Sequence, residues 1–261
     1  MLAIGAFAGV AAGLLGVGGG IILVPAFYYA FSSLGYESDG LMQICVATSL
    51  ATIIVTSARS VLSHHKKGAV EWDILRGWAL GIAVGALLGV VLASGLKSQT
   101  LMLIFGILGV SIGLYMAFGR SEWRLGAAMP SGFARAAFSP VIGFLSVLMG
   151  IGGGSFSVPL MSLYGRPIHK AVATAAGFGV LIAVPSTIGF LLSGWGDPSA
   201  PPFTIGRVNL IAFTVIVSMT LLTAPIGVKL AHMMNPKPLK RLFAGFIILM
   251  ALNMLRKALT G

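Results

Sequence analysis

The sequence predicts an all-α, polytopic membrane protein built of two inverted-topology repeats, each a glycine-broken helical hairpin followed by three transmembrane helices. Three observations predict it. Of the 261 residues 57% are hydrophobic and only 9% are charged, against roughly 25% charged in a soluble domain, and the mean hydropathy is +0.99. One glycine motif is written twice with the same internal spacing: Gly16-Val-Gly-Gly-Gly20 with Val24-Pro25, and Gly150-Ile-Gly-Gly-Gly154 with Val158-Pro159. The first two connections of the halves also carry opposite charge character, and the third is weakly basic in one half and strongly basic in the other.

The elements follow in order, taking an apolar stretch of about 18 residues or more as a membrane helix. The first region, 1–31, is interrupted at Gly16–Gly20. Lipid cannot satisfy the backbone groups that such a break frees, so the break must be buried in protein or line a cavity. Two half-helices of about 22 Å each, at 1.5 Å per residue, account for its length. Met1 to Ala12 lacks a basic flank and runs into the motif, so it reads as mature structure and not as a signal peptide. Plain spans follow at 42–62, 76–96 and 100–118. The basic stretch 119–131, with its glycines and serines, separates a first repeat, 1–118, from a second, 132–261. The second opens with 132–163, interrupted at Gly150–Gly154, and continues with spans at 169–193, 206–231 and 239–257. Beyond the motif, Ala47-Thr48 matches Ala173-Thr174, Gly89–Ala93 matches Gly227–Ala231, and Leu101 with Phe105 matches Leu239 with Phe243.

Loop charge favours inverted repeats over the alternative, parallel repeats in which each broken region crosses once. In the first half the successive connections hold Glu37 and Asp39, then His64, His65, Lys66 and Lys67, then Lys97. In the second half they hold Arg166 and Lys170, then Asp197, then Lys237, Lys240 and Arg241. Cytoplasmic loops concentrate Lys and Arg, so the alternation assigns 63–75, 119–131, 164–170 and 232–241 to the cytoplasm and 32–41, 94–99 and 194–205 to the outside. Each broken region then enters and returns as a hairpin. The cost is an outer C-terminus that carries Arg256 and Lys257.

The same charges exclude several functions. A net charge of +11 suggests nucleic acid, but the basic residues sit at span ends, so the partner is the lipid bilayer and not a polynucleotide. Cys45 is alone, which rules out a disulfide or a cysteine metal site within the chain and leaves a buried structural thiol. His64, His65, His169 and His232 lie at span ends without an i+4 partner, so neither metal nor cofactor is expected. His64 to Lys67 reads as a solvated basic loop or as a contact for lipid phosphate. Ser155 has no His or Asp in a neighbouring span to activate it, so an enzyme is not expected. The glycine spacing fails the P-loop and dinucleotide templates.

Helices starting after Gly20 and after Gly154 would each present free backbone N–H groups and a positive dipole end, which together make an anion site. In inverted repeats the two starts converge near the midplane. The candidate substrate-binding residues are therefore Gly18, Gly19 and Gly20 with Gly152, Gly153 and Gly154; the alternative is that these glycines only let helices pack closely. Ser155 and Ser157 replace Ile21 and Leu23 of the first copy, and either contact the anion or bond back to their own helix. Thr48, Ser49, Thr52 and, on the matched span, Thr174 offer further hydroxyls, with packing as their alternative role. Arg59, inside an apolar run, is a candidate for substrate contact or gating, against snorkelling to the surface. Gln43 is expected at the membrane interface. With no acid within a span, uniport, anion exchange and sodium coupling stay open.

The decapeptides Gly16-Val-Gly-Gly-Gly-Ile-Ile-Leu-Val-Pro25 and Gly150-Ile-Gly-Gly-Gly-Ser-Phe-Ser-Val-Pro159, each near the start of one half, resemble those of the TauE/SafE family of sulfite exporter-like permeases. The resemblance covers essentially the whole chain. It implies a multi-pass protein of the cell inner (cytoplasmic) membrane, a secondary transporter that exports small sulfur-containing oxyanions such as sulfite or organosulfonates, and leaves room for a homodimer. The alternative is a channel-like facilitator or a permease for another small anion or a neutral solute.

Overall fold

The computed structural model describes residues 5–6, 9–10, 19–119, 123–233 and 236–260. The elements delimited among them are α1 (Gly20–Ser33), α2 (Leu41–Lys66), α3 (Trp72–Gly95), α4 (Ser98–Phe118), α5 (Gly132–Leu148), α6 (Gly154–Leu163), α7 (Ile168–Leu192), β1 (Thr204–Ile205), β2 (Val208–Asn209), α8 (Leu210–Met233) and α9 (Pro236–Thr260). By length and composition α2, α3, α4 and α7 can each cross a membrane. The second glycine motif breaks the chain where expected, with α5 ending at Leu148 and α6 beginning at Gly154.

Helix bounds shift by up to four residues from the sequence expectation, and one shift changes the local fold. The span expected from residue 206 starts at Leu210, because 204–209 fold into an antiparallel ribbon with Thr204 opposite Asn209 and Ile205 opposite Val208. Gly206, at φ 56°, opens the two-residue turn between the strands, a geometry that glycine supplies in tight hairpins.

Helix α2 forms the centre. Every residue from Leu41 to Ile53 is buried, and a helix buried on all sides lies inside a bundle. Its polar side chains are correspondingly bonded. Gln43, expected at the interface, is only 2% exposed; its amide donates to the Leu96 carbonyl and it accepts from Ser98. A buried amide left unpaired would be costly, and the loop before α4 supplies its partners. Around α2 the core includes Trp78 and Phe178, whose rings stack at 6.4 Å. The outer faces are apolar. On α3, Leu80, Val84, Leu87, Leu88 and Val91 are all exposed and fall on one helical face, a stripe that calls for lipid around it.

Contacts give the directions of the helices. On α3, Gly77 meets Arg135 and Gly89 meets Val147, so α3 and α5 run the same way. Gly109 of α4 meets Ala251 and Gly113 meets Ile248, so α4 and α9 run in opposite ways. Gly5 lies against Met219 and Gly9 against Thr220, beside α8. The loops gather at two ends. At one, Ser98 donates to the Asp39 carbonyl at 2.8 Å, Arg207 lies against Gly40, and Gln99 donates to the Ala258 carbonyl at 2.7 Å. At the other, Arg166 pairs with Glu71 at 3.2 Å, and the Leu125 amide donates to the Leu163 carbonyl at 2.8 Å.

Candidate functional site

The two glycine breaks cross in contact. A methyl group built on Gly20 would lie 2.7 Å from the Gly150 carbonyl oxygen and 2.9 Å from Ile151 Cα. Gly150, at φ 63°, turns the chain out of α5, and a Cβ there would sit 2.7 Å from a methyl of Val24. The chain leaves α5 through two hydrogen bonds, from the Gly150 amide to the Val147 carbonyl at 2.9 Å and from the Ile151 amide to the Ser146 carbonyl at 2.9 Å. Ser49 of α2 donates to the Gly150 carbonyl at 2.7 Å and so ties the crossing to the central helix.

Each break delivers the start of a helix to this place. Gly19 is the residue before α1, in the left-handed region at φ 73°, and Gly153 is the residue before α6. Neither start is capped by a side chain; the Ile22 and Leu23 amides donate to the Gly19 carbonyl and the Ser157 amide to that of Gly153, and both helix dipoles present positive ends. Gly19, Gly20, Gly152, Gly153 and Gly154 are buried. Gly18 lies outside the described residues. The repeated Val-Pro has a physical consequence as well. Pro25 and Pro159 lie inside α1 and α6 and have no N–H, so the carbonyls of Ile21 and Ser155 lose their helical donor.

The candidate hydroxyls divide by partner. Ser157 bonds back to the Gly153 carbonyl, and Thr52 to the Ser49 carbonyl at 2.7 Å. Thr48 accepts the Asn209 amide at 3.0 Å, and Thr174 accepts the Glu71 amide at 2.9 Å. These two threonines, matched in sequence, therefore do matched work: each receives the backbone N–H of the residue that precedes a helix, α8 for Thr48 and α3 for Thr174. Ser155, in the first turn of α6, is different. It is 6% exposed and its buried hydroxyl has no partner among the described residues. Ser146 is 0% exposed and its hydroxyl is likewise unpartnered. Sequence reading passed over Ser146, although it stands four residues before Gly150 where the first copy has Ala12. That mismatch was the available signal.

Arg59 is not brought to the crossing. It is exposed, and it lies ten residues beyond Ser49, about 15 Å along the helix. Two ion pairs that sequence reading did not link stand at the ends of the bundle instead. Glu71 and Arg166 join the start of α3 to the turn after α6, and Asp197 and Arg207 join at 2.9 Å across the loop before α8. Hydrogen bonds from Ser199, and then the Arg207 guanidinium, hold the Asp197 carboxyl below its ordinary value against the opposing effect of burial. Partners 95 residues apart, as Glu71 and Arg166 are, leave no local signature.

Comparison with known proteins supplies the context for this geometry. Residues 1–254 match the family model described as sulfite exporter TauE/SafE. A probable membrane transporter protein of Haemophilus influenzae is 30% identical over 256 residues, which cover 98% of this chain and 97% of the relative. A probable membrane transporter protein of Methanocaldococcus jannaschii is 24% identical over 257 residues, with coverage of 98% and 94%. One of Bacillus subtilis is 28% identical over 214 residues, with coverage of 74% and 78%. No solved structure matches.

Proposed function

The chain belongs to the TauE/SafE family and is a membrane transporter, and from that premise we propose that it exports small sulfur-containing oxyanions, sulfite or organosulfonates, across the cytoplasmic membrane. The substrate is held where the two glycine breaks cross, between the starts of α1 and α6.

The observation that carries this reading is the buried, unpartnered hydroxyl of Ser155 in the first turn of α6. A donor left unsatisfied in an apolar interior costs about 1–3 kcal/mol, and an oxyanion between two helix starts would accept from it. The uncapped helix starts and their dipole ends favour negative charge there, and Ser146 offers a second open hydroxyl beside the same break. Gly20 packs against Gly150 without room for a methyl group, and a crossing that tight on the substrate's path suits a carrier better than an open pore.

In the proposed topology the repeats are inverted, and each broken region enters and returns as a hairpin. The placement of matched turns supports it. The carbonyls of Phe31 and Ser32 receive the amides of Tyr36 and Gly35 after α1, as those of Met161 and Ser162 receive the amides of Arg166 and Gly165 after α6. The first turn leads to the end of the bundle where Ser98 meets Asp39, and the second to the end where Arg166 meets Glu71. The end bearing Glu71 and Arg166 is assigned to the cytoplasm and the end bearing Asp197 and Arg207 to the outside. The two ion pairs then act as latches at opposite mouths, and opening one while the other stays closed gives alternating access.

The decisive measurement is flux through purified protein in liposomes, comparing sulfite, ethanesulfonate and acetate with and without ion gradients. Saturable flux of the two sulfur oxyanions with little of acetate is expected. Equal flux of all three, or of none, overturns the substrate assignment.

A further inference from the structure

At the end of the bundle that carries Asp39 and Ala258 there is a cavity of about 380 Å³, away from the glycine crossing. It is lined by Tyr28 at the end of α1, Glu37 and Asp39 in the following loop, Gln99 of α4 and Lys257 of α9. Lys257 is one of the basic residues that run against the charge bias of the loops. Its position is defined: the ammonium lies 4.9 Å from the centroid of the Tyr28 ring, within reach of cation–π attraction. Among the described residues neither Lys257 nor Glu37 nor Asp39 belongs to an ion pair, although all three face one cavity.

From these contacts we infer a binding site for a small zwitterion, a molecule with an ammonium group at one end and a carboxylate or sulfonate at the other. A simple anion would gain Lys257 but meet two carboxylates. A simple cation would gain the carboxylates but meet the ammonium. A zwitterion satisfies both, with its anionic group on Lys257 and its ammonium on Glu37 and Asp39. The volume suits a molecule of this size and Gln99 adds a polar wall. The site also gives a reason for a positive charge to persist at this end of the chain. Its placement on the outer face rests on the topology proposed above; the binding itself does not.

The test uses the full chain in detergent, titrated with β-alanine, propionate and propylammonium and read by saturation-transfer NMR. Ion pairs with exposed groups are individually weak, so binding in about the millimolar range is expected, with β-alanine about threefold to fivefold tighter than either singly charged analogue. Lys257→Met and the double variant Glu37→Gln/Asp39→Asn should each remove most of that preference, with elution and melting unchanged, and Ser155→Ala should keep it. Equal binding of the three probes overturns the site. So does loss of β-alanine binding in Ser155→Ala with retention in Lys257→Met, because the ligand would then sit at the glycine crossing. Failure of sulfite flux would bear on the transport assignment and leave this result standing.

Discussion

Gly20 and Gly150, 130 positions apart in the chain, meet backbone to backbone: a methyl on the first would stand 2.7 Å from the carbonyl oxygen of the second. The contact makes the doubled motif a single structure. The glycines of one copy give room to the other, and the crossing joins the start of α1 to the break before α6. Ser49 ties it to α2 by donating to the same Gly150 carbonyl.

The crossing should tolerate no side chain. Gly20→Val is expected to reduce flux to background, because the branched group would push against the backbone of Gly150 and Ile151. Overpacking of this kind costs about 1–3 kcal/mol, so the variant should still insert and elute normally. Gly95→Ala, where the added Cβ meets nothing within 4 Å, is the control and should keep wild-type flux. Wild-type flux in Gly20→Val would remove the crossing from the transport path.

The two serines of α6 should separate. Hydrogen bonds to charged groups contribute about 1.5–3 kcal/mol, so Ser155→Ala should raise the KM for sulfite at least tenfold. Ser157 already bonds to the Gly153 carbonyl, and Ser157→Ala should change KM by less than about threefold, the effect of under 1 kcal/mol. Reversal of this order would shift the substrate contact to the inner serine.

Sidedness is open to direct labelling. Cysteines introduced singly at Ser38 and Arg166 should react with a membrane-impermeant maleimide from opposite faces. Native Cys45 is fully buried and should contribute little background. Labelling of both positions from one side would rule out inverted repeats.

The Asp197–Arg207 latch carries a pH signature. Because the folded state holds the Asp197 carboxyl below its ordinary value of 3.8, the pair contributes stability above that value and loses it as pH falls through the lower folded value. Proteolysis of segment 194–209 should therefore be flat between about pH 8 and 5 and increase only below the ordinary aspartate range. Asp197→Asn should show the increased cleavage at neutral pH. A rise centred near pH 6 in the wild type would point to a different group.

Much of the architecture was legible in the chain because the bilayer imposes strict rules. Helices in lipid must be long and apolar and breaks in them must be buried, so the motif at Gly150–Gly154 marked the gap between α5 and α6 correctly. The ribbon at 204–209 was not legible, since its six residues sit at the edge of an apolar run and differ from a helix start only in the turn at Gly206. Arg59 illustrates the limit for site residues. Its rarity within an apolar stretch drew attention, yet a long flexible side chain near a helix end can turn outward, and in the fold it is exposed.

The sequence by itself determined that this is a membrane protein in which one glycine motif is written twice, because composition and repetition are properties of the chain alone. Only the tertiary structure decided which hydroxyls are engaged. Thr48, Ser49, Thr52, Thr174 and Ser157 all have backbone partners, and among the described residues Ser155 and Ser146 have none. A hydroxyl's availability depends on what the fold places within about 3 Å of it. For Thr48, Ser49 and Thr174 that neighbour arrives from a helix or loop a hundred or more residues away.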